Sequence, residues 1–289
     1  MPDETSPAKR TRSGSPRALL EGHGLHAKRQ FGQNFLSDPE LCARIALSAT
    51  GPLRAATVLE IGAGLGALTG PLLERSERVL ALEKDRELIP LLGEIFASEV
   101  AEGRLNIEEA DIRDVDLSQK FADTARPRIV AGNLPYLITG PILRALCALG
   151  REIDRACVMV QLEVAERLTA KPGSEAYGAL TVFVQAQFIA QKAFVIRKGA
   201  FFPSPKVDSA VVVLQPHPTP VAEETPQFQR VVQAAFQQRR KKLRTAWGQL
   251  VHSPEILAQA ASRAEIDLNL RGEVLSVQQF ARMAEELTK

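Results

Sequence analysis

Four consecutive residues, Asn133, Leu134, Pro135 and Tyr136, carry the groups needed to activate an aromatic amine for alkylation. Such an amine is a poor nucleophile because its lone pair is conjugated with the ring. The Asn133 side-chain carbonyl and the backbone carbonyl beside Pro135 can accept both N–H groups, which favours a pyramidal nitrogen with a free lone pair. Pro135 has no N–H and fixes the chain direction, and Tyr136 offers a face for a flipped-out base. The pattern predicts methyl transfer to a base amine, with an Asx-type turn as the alternative.

A glycine-rich turn lies upstream of this tetrapeptide. Residues 58–61 form an apolar run, and Gly62, Gly64 and Gly66 follow it before a predicted helix. Glycine allows the backbone to approach a ligand closely, and a strand, glycine turn and helix are typical of a nucleotide-cofactor site. The spacing fits both NAD and S-adenosylmethionine, and a tight turn without a ligand is a third interpretation.

Carboxylates follow the predicted strands at the same edge of the sheet. Glu60 ends the first strand, where it could face the cationic end of a cofactor, and Glu83 follows the second at the position of a ribose-binding acid. Beyond the third strand, Asp111 could accept a bond from an adenine amine and the Ile112 N–H could serve a ring nitrogen; helix capping is the alternative for Asp111. These acids suit either cofactor. The amine-binding tetrapeptide favours S-adenosylmethionine, because hydride transfer has no use for it.

Two further segments carry candidate ligand-binding residues. Gln33 and Asn34 lie between Phe31 and Phe35, where their amides could contact a ligand or cap the loop. Phe202 begins a rigid, proline-containing loop and could stack on the second face of a base, or belong to the core.

The cations are clustered although the net charge is only +2. Local basic patches on a near-neutral protein can bind a polyanion at a defined surface, while a solvated helix face is the alternative for each. The predicted RNA-binding cations are Lys28, Arg29, Arg239, Arg240, Lys241, Lys242 and Arg244.

Composition is that of an ordinary globular protein of 289 residues, 45% hydrophobic and 24% charged. No apolar run is long enough to span a bilayer, and the N-terminus has no signal-peptide core. Cys42, Cys147 and Cys157 have apolar neighbours and no metal spacing. We therefore expect small core thiols in a reducing cytoplasm, without a disulfide framework or a metal site.

The pattern along the chain predicts four parts. Residues 1–20 read as a disordered basic tail that includes Lys9, Arg10, Arg12 and Arg17; residues 21–215 read as an α/β catalytic domain. Residues 216–221 are a proline-rich linker, and residues 222–289 follow a helical pattern. Within the α/β part, Asp38 and Pro39 predict the start of a helix, and the runs 180–189 and 193–196 predict paired strands.

Segments 31–36, 60–69, 133–136, 202–212 and 236–244 together resemble the ribosomal RNA adenine N6,N6-dimethyltransferase family of the KsgA type. The resemblance extends from about residue 24 to the C-terminus. It implies a Rossmann-like class I S-adenosylmethionine-dependent methyltransferase fold, with a seven-stranded, mostly parallel sheet and a small all-helical C-terminal domain. It also implies dimethylation of two adjacent adenosines in a hairpin near the 3′ end of small-subunit rRNA. A cytoplasmic monomer would act on a pre-30S-like particle.

The family pattern also implies roles for individual residues. It places the cofactor on Asn34, Leu36, Gly62, Glu83, Asp111 and Asn133, and the target base on residues 133–136 and Phe202. These roles agree with the interpretation of the residues themselves except at Leu36, which by its type would be a core residue.

Three alternatives remain open on the sequence. A related group methylates large-subunit rRNA at one adenine and confers macrolide resistance, and it shares the catalytic loop. A ribosome-assembly or transcription factor could keep the fold and work by binding alone. An NAD-linked oxidoreductase is the most distant alternative, since nothing in it would use residues 133–136.

Overall fold

The computed structural model describes residues 14–52 and 54–288. Nine strands form one sheet of seven strands, in the order β4-β3-β2-β5-β6-β9-β7, and a second sheet that pairs β1 with β8. The strands are β1 (Phe35–Leu36), β2 (Ala55–Ile61), β3 (Ser76–Glu83), β4 (Leu105–Glu109), β5 (Arg128–Asn133), β6 (Arg155–Gln161), β7 (Phe188–Ile196), β8 (Phe201–Phe202) and β9 (Ser209–Pro216).

Thirteen α-helices and six short 3-10 turns are described. The helices are α1 (Pro16–Gly22), α2 (Pro39–Thr50), α3 (Thr69–Glu74), α4 (Leu88–Ile95), α5 (Ala97–Ala101), α6 (Leu117–Phe121), α7 (Thr139–Leu149), α8 (Leu162–Leu168), α9 (Ala179–Gln187), α10 (Pro226–Gln237), α11 (Leu243–Ala246), α12 (Pro254–Arg263) and α13 (Val277–Glu286).

The large sheet is parallel over its first five strands, and β9 runs antiparallel to β6. Val58, Val79 and Ile129 on adjacent strands are fully buried, as expected where helices cover both faces of a parallel sheet. The predicted fold class, a Rossmann-like α/β sheet of seven mostly parallel strands, is confirmed. Because β2, β3, β4 and β5 are parallel, their carboxyl ends meet at one edge, and this edge collects the candidate site residues.

Helix α2 begins where the sequence predicted it. The Asp38 carboxylate accepts bonds from the N–H groups of Glu40 and Leu41, at 3.0 and 3.2 Å, and Pro39 occupies the first turn. The helix ends at Thr50 and is followed by Gly51, whose φ of 66° is a value that glycine adopts without strain.

The prediction of a strand over residues 180–189 is wrong. Residues Ala179–Gln187 form helix α9, and strand β7 starts only at Phe188. The Thr181 hydroxyl caps the helix by accepting a bond from the Gly178 N–H and donating one to the Arg167 carbonyl. A short run that is buried on nearly all sides lacks the periodicity that separates a helix from a strand, so tertiary packing decides.

The predicted disordered tail also extends too far. Pro16–Gly22 is helical, because Ser15 caps it by accepting a bond from the Ala18 N–H at 3.2 Å and Leu20, only 2% exposed, joins the hydrophobic core. The remainder of the predicted tail, residues 1–13 with its cations Lys9, Arg10 and Arg12, lies outside the described residues.

The chain divides into two compact units. The first consists of the described residues up to Ile142 together with Glu152–Ala165 and Gln191–Gln215. The second consists of Leu143–Arg151, Glu166–Ala190 and the described residues from Pro216 onward, and its core includes an aromatic cluster around Trp247 and Phe280. The domain boundaries inferred from the linker stay predictions.

Two features of the sequence can be located in the fold. Cys42, Cys147 and Cys157 are buried free thiols, and burial raises the pKa of each to about 12. Among the described helices, none combines the length and the apolarity that crossing a bilayer requires.

Candidate active site

A cavity of about 400 Å³ opens at the carboxyl ends of the central strands, within the first unit. Its walls come from the loop before β1, the glycine turn after β2, and the ends of β3, β4 and β5. Of the predicted cofactor and base-binding residues, those that line the cavity are Asn34, Leu36, Gly62, Gly64, Glu83, Asp111, Ile112, Asn133, Leu134, Pro135 and Tyr136. The structure therefore brings together in one place residues from five separate segments of the chain.

The turn after β2 requires glycine at two positions. Gly64 has a φ of 58°, and its N–H donates to the Glu83 Oε2 at 2.8 Å. Gly66 has a φ of 79°, and a Cβ there would lie 2.3 Å from the Phe96 ring. Larger residues would be strained at both positions. Gly64 lines the cavity, whereas glycine at position 66 is required by packing against Phe96.

Glu83 lies at the end of β3, as the ribose-binding role requires. It is buried, and its Oε1 accepts a bond from the Asp85 N–H at 2.8 Å in addition to the Gly64 bond at Oε2. Burial raises the pKa of Glu83, although these N–H groups oppose the rise. The carboxylate is thus fixed at the cavity wall with both oxygens oriented.

Glu60 is the most enclosed carboxylate of the site, at 1% exposure. The Thr69 hydroxyl donates to its Oε2 at 2.7 Å. Burial, and to a smaller extent the nearby Glu83 charge, raises the pKa of Glu60 to about 7. A cation bound in the cavity would favour the ionised form of this group.

Asp111 is paired with two cations. Lys84 and Arg113 lie 2.7 and 2.6 Å from its Oδ2, and the Arg113 N–H donates to Oδ1. The Arg113 bonds, with help from Lys84, hold the pKa of this carboxyl well below its usual range. The neighbouring Ile112 is buried. Their predicted contacts with an adenine ring stay predictions.

The Asn133 amide is held in one orientation by the loop before β1. Its Nδ2 donates to the Asn34 backbone carbonyl at 2.8 Å, and the Asn34 Nδ2 in turn donates to the Gly32 carbonyl. A carbonyl can only accept, so this bond fixes which end of the Asn133 amide faces Asn34. The Oδ1 of Asn133 is thereby turned away from Asn34 and can accept from a substrate.

The rest of the tetrapeptide forms a tight turn. The Leu134 N–H donates to the Met159 carbonyl at 3.0 Å, and the Pro135 carbonyl accepts from the Ile138 N–H. The Tyr136 hydroxyl is 2.8 Å from the Ser209 Oγ, and burial raises the pKa of that phenol. The ring of Tyr136 is held at the cavity wall.

Phe202 is not among the described residues that line the cavity. It pairs in β8 with Phe35 of β1, packs against the core, and has the Arg17 guanidinium carbon 5.5 Å from its ring centre. Its role as a second stacking face stays a prediction. Sequence reasoning missed Arg17 here, because α1 was assigned to a disordered tail.

Sequence reasoning also missed Asp85, a buried carboxylate that holds the loop before β1. Its Oδ1 is 2.7 Å from the Lys28 Nζ, and its Oδ2 accepts from the Gln33 Nε2 at 2.8 Å. We call residues 28–34 the strap. Burial raises the pKa of Asp85, but the bonds from Lys28 and Gln33 outweigh it, and the pKa lies below its ordinary value.

Lys28, which the sequence predicted to bind RNA, takes part in these contacts. Its ammonium lies 2.7 Å from Asp85 and 2.8 Å from Glu87, and its bonds to the two carboxylates raise its pKa. Its predicted contact with RNA stays a prediction. Its neighbour Arg29 is exposed.

The second basic cluster lies in the second unit, where α10 turns into α11. Arg239 is ion-paired with Glu273 at 3.2 Å, and the Arg244 guanidinium bonds the Asn269 side chain at 2.6 Å. The exposed cations between them are Arg240, Lys241 and Lys242. Their predicted contact with RNA phosphates stays a prediction.

Comparison with known proteins gives a consistent result. The model of the ribosomal RNA adenine dimethylase family matches residues 24–289. A protein of Magnetococcus marinus named ribosomal RNA small subunit methyltransferase A is 42% identical over 273 residues, which covers 94% of this chain and 95% of that protein. A protein of the same name from Enterococcus faecalis is 36% identical, with 94% of each chain covered.

Solved structures share the fold. A dimethyladenosine transferase from Plasmodium falciparum has a TM-score of 0.72 at 22% identity, covering 86% of this chain and 95% of that one. The 23S rRNA methyltransferase ErmE has a TM-score of 0.66 at 25% identity, covering 89% of this chain and 100% of that one.

Proposed function

The chain belongs to the ribosomal RNA adenine dimethylase family, and we propose that it dimethylates the N6 amines of two adjacent adenosines in the 3′-terminal hairpin of small-subunit rRNA. The protein is an enzyme that uses S-adenosylmethionine. The observation that carries the proposal is the Asn133 amide, whose bond to Asn34 leaves its Oδ1 as an acceptor at the cavity wall.

The residues of the cavity fit this cofactor. When bound, S-adenosylmethionine supplies an electrophilic methyl group on a sulfonium. Gly62 and Gly64 line the cavity at the end of β2, and the enclosed Glu60 carboxyl, when ionised, favours a cation there. The residues that we propose hold the cofactor are Asn34, Leu36, Gly62, Gly64, Glu83, Asp111, Ile112 and Asn133.

The target amine is activated by two acceptors. We propose that the Asn133 Oδ1 and the Leu134 carbonyl each accept one N–H of the adenine N6. Together they hold the nitrogen in a pyramidal geometry, with its lone pair directed into the cavity. The Pro135 carbonyl is used within the turn by Ile138 and Thr139, so it is not the second acceptor. Tyr136, fixed by Ser209, stacks on the base.

The macromolecular partner is ribosomal RNA. We propose that the substrate is a pre-30S-like particle that contains this RNA. We propose that Arg240, Lys241, Lys242 and Arg244 in residues 222–289 bind its phosphates, while residues 21–215 act as the catalytic domain. The exposed Arg29 adds a cation beside the strap. We propose further that the protein acts as a monomer in the cytoplasm.

The alternatives are not favoured. Relatives that are 36–42% identical over 94% of this chain carry the small-subunit name, whereas the large-subunit enzyme is 25% identical. An ordered, oriented Asn133 supports catalysis over a role in binding alone. The NAD-linked oxidoreductase finds no support in the family match.

The test is methyl transfer from labelled S-adenosylmethionine to unmethylated small subunits and, separately, to protein-free large-subunit rRNA, with the modified nucleoside mapped. We expect dimethyladenosine in the 3′-terminal hairpin of the small subunit, and transfer reduced by about 10²–10³ with Asn133→Ala. Label in large-subunit rRNA alone would overturn the proposal in favour of the resistance group. Binding of the cofactor without transfer to either RNA would favour the non-catalytic alternative.

A further inference from the structure

Leu137 is the most exposed large apolar side chain of the described residues. It is 76% exposed, while the next, Ile189, is 53% exposed. It follows Tyr136 directly and lines the mouth of the cavity. Single exposed leucines are common on protein surfaces, but this one lies beside the proposed amine-binding turn.

The turn presents Leu137 in a fixed direction. On one side, the Leu134 N–H is bonded to the Met159 carbonyl and Tyr136 is tied to Ser209. On the other, the Ile138 N–H and the Thr139 hydroxyl both donate to the Pro135 carbonyl, at 3.0 and 3.1 Å. Because the backbone on both sides is bonded, the direction of the Leu137 Cα–Cβ bond is fixed and its side chain lies exposed at the cavity. It is therefore held toward whatever approaches the cavity.

The identity of that partner rests on the proposed function. An adenine N6 can reach Asn133 only when its base has left the stack of the RNA. Its departure exposes an apolar face on the adjacent base, right outside the cavity mouth. Enzymes and architectural proteins fill such gaps with aliphatic side chains, and a leucine covers a base face without competing for its hydrogen bonds.

We propose that Leu137 packs against the base next to the target adenosine and holds the stack open while the target occupies the cavity. It is a residue that contacts the substrate, and it selects an RNA whose neighbouring nucleotide can offer a free base face. Burial of the Leu137 side chain against the RNA base contributes to productive binding of the RNA and leaves cofactor binding unchanged.

The test compares Leu137→Ala, Leu137→Asn and Leu137→Met with the control Leu47→Ala. Leu47 is 50% exposed, lies on α2 and does not line the cavity, so the control makes the same chemical change elsewhere in the same unit. Small subunits carrying a synthetic 3′ hairpin are the substrate. We expect kcat/KM to fall about ten- to a hundredfold with Leu137→Ala, more with Leu137→Asn, and less than threefold with Leu137→Met. Cofactor affinity and melting temperature should match the control.

A second substrate distinguishes a base contact from a structural effect. In hairpins with an abasic site on either side of the target adenosine, wild type and Leu137→Ala should methylate at similar rates, because the face that Leu137 covers is gone. A defect that persists on the abasic hairpins would overturn the proposal and point to a protein partner. So would equal rates for Leu137→Ala and Leu47→Ala on the intact hairpin. If the wild type fails to methylate any small subunit, the proposed function fails instead.

Discussion

Replacing Glu60 by glutamine removes a titration that the structure places near neutral pH. Burial raises the pKa of this carboxyl from 4.5 to about 7. Between these values the folded protein keeps a proton that the unfolded chain has lost. Glu60 therefore contributes stability that is fully present below pH 4.5 and is lost as the pH rises toward 7 and beyond. At 1.36 kcal/mol per pH unit, the step amounts to roughly 3 kcal/mol.

The affinity for the cofactor should depend on the same carboxyl group, but it should rise with pH where the stability falls. Only the ionised carboxylate attracts a cation, and with a pKa of about 7 roughly one Glu60 in eleven is ionised at pH 6. Raising the pH from 6 to 7.5 should therefore lower the apparent Kd for S-adenosylmethionine about eightfold. At pH 7 binding should release about half a proton.

The assay is isothermal titration calorimetry at pH 7 in two buffers of different ionisation enthalpy, repeated as a pH series. Glu60→Gln should bind without proton release and with a flat pH profile, while the control Glu74→Gln, an exposed glutamate on α3, should behave as wild type. Stability by denaturant unfolding should differ between wild type and Glu60→Gln by an amount that grows from pH 5 to 7.5. Proton release that survives in Glu60→Gln would refute the assignment of the titration to this residue.

Three further predictions test the site and its surroundings. Asn133→Ala should lower kcat by about 10²–10³ and weaken cofactor binding less than Glu83→Ala does; equal losses of binding, measured by calorimetry, would contradict the amine-holding role. Gly132→Ala should cost about 3 kcal/mol, or roughly 10 °C in melting temperature, because its Cβ would lie 2.4 Å from the Ile61 carbonyl oxygen. Gly140→Ala, with open space around it, should leave stability unchanged or raise it. A similar loss of stability in Gly132→Ala and Gly140→Ala would show that the contact with Ile61 is unimportant. The exposed cations of the second unit to be changed to glutamine are Arg240, Lys241 and Lys242. Their loss should reduce the slope of log K against log salt for particle binding by about 0.7–0.9 per phosphate contact. An unchanged slope would show that these residues lie outside the interface.

The parts of the site that the sequence predicted are those with local causes. A glycine turn needs glycine where φ is positive, and this requirement is visible at Gly64 and Gly66 without any structure. Parallel strands bring their carboxyl ends to one edge, so strand order along the chain was enough to place Glu83 and Asp111 near that turn. The helix cap at Asp38 could also be predicted, because its hydrogen-bond partners are only two and three residues away.

The parts that it did not predict depend on partners far apart in the chain. Lys28 and Asp85 are separated by 57 residues, and no local pattern distinguishes a lysine that pairs with a buried carboxylate from one that binds RNA. Arg17 meets Phe202 only because Leu20 anchors α1 in the core. Helix α9 lacks an amphipathic pattern because it is buried on nearly all sides, so its β-branched residues favoured a strand.

The strap has a consequence for how the cavity wall is held. Both of its ends are held by one group, with Lys28 on Oδ1 and Gln33 on Oδ2 of Asp85, and the Lys28 N–H also donates to the Gln33 Oε1 at 2.7 Å. Gln33 and Asn34 line the cavity, whereas Asp85 is not among the described residues that do. One buried carboxylate therefore shapes a wall of the site from outside it, and a substitution of Asp85 would remove the bonds at both ends of the strap at once.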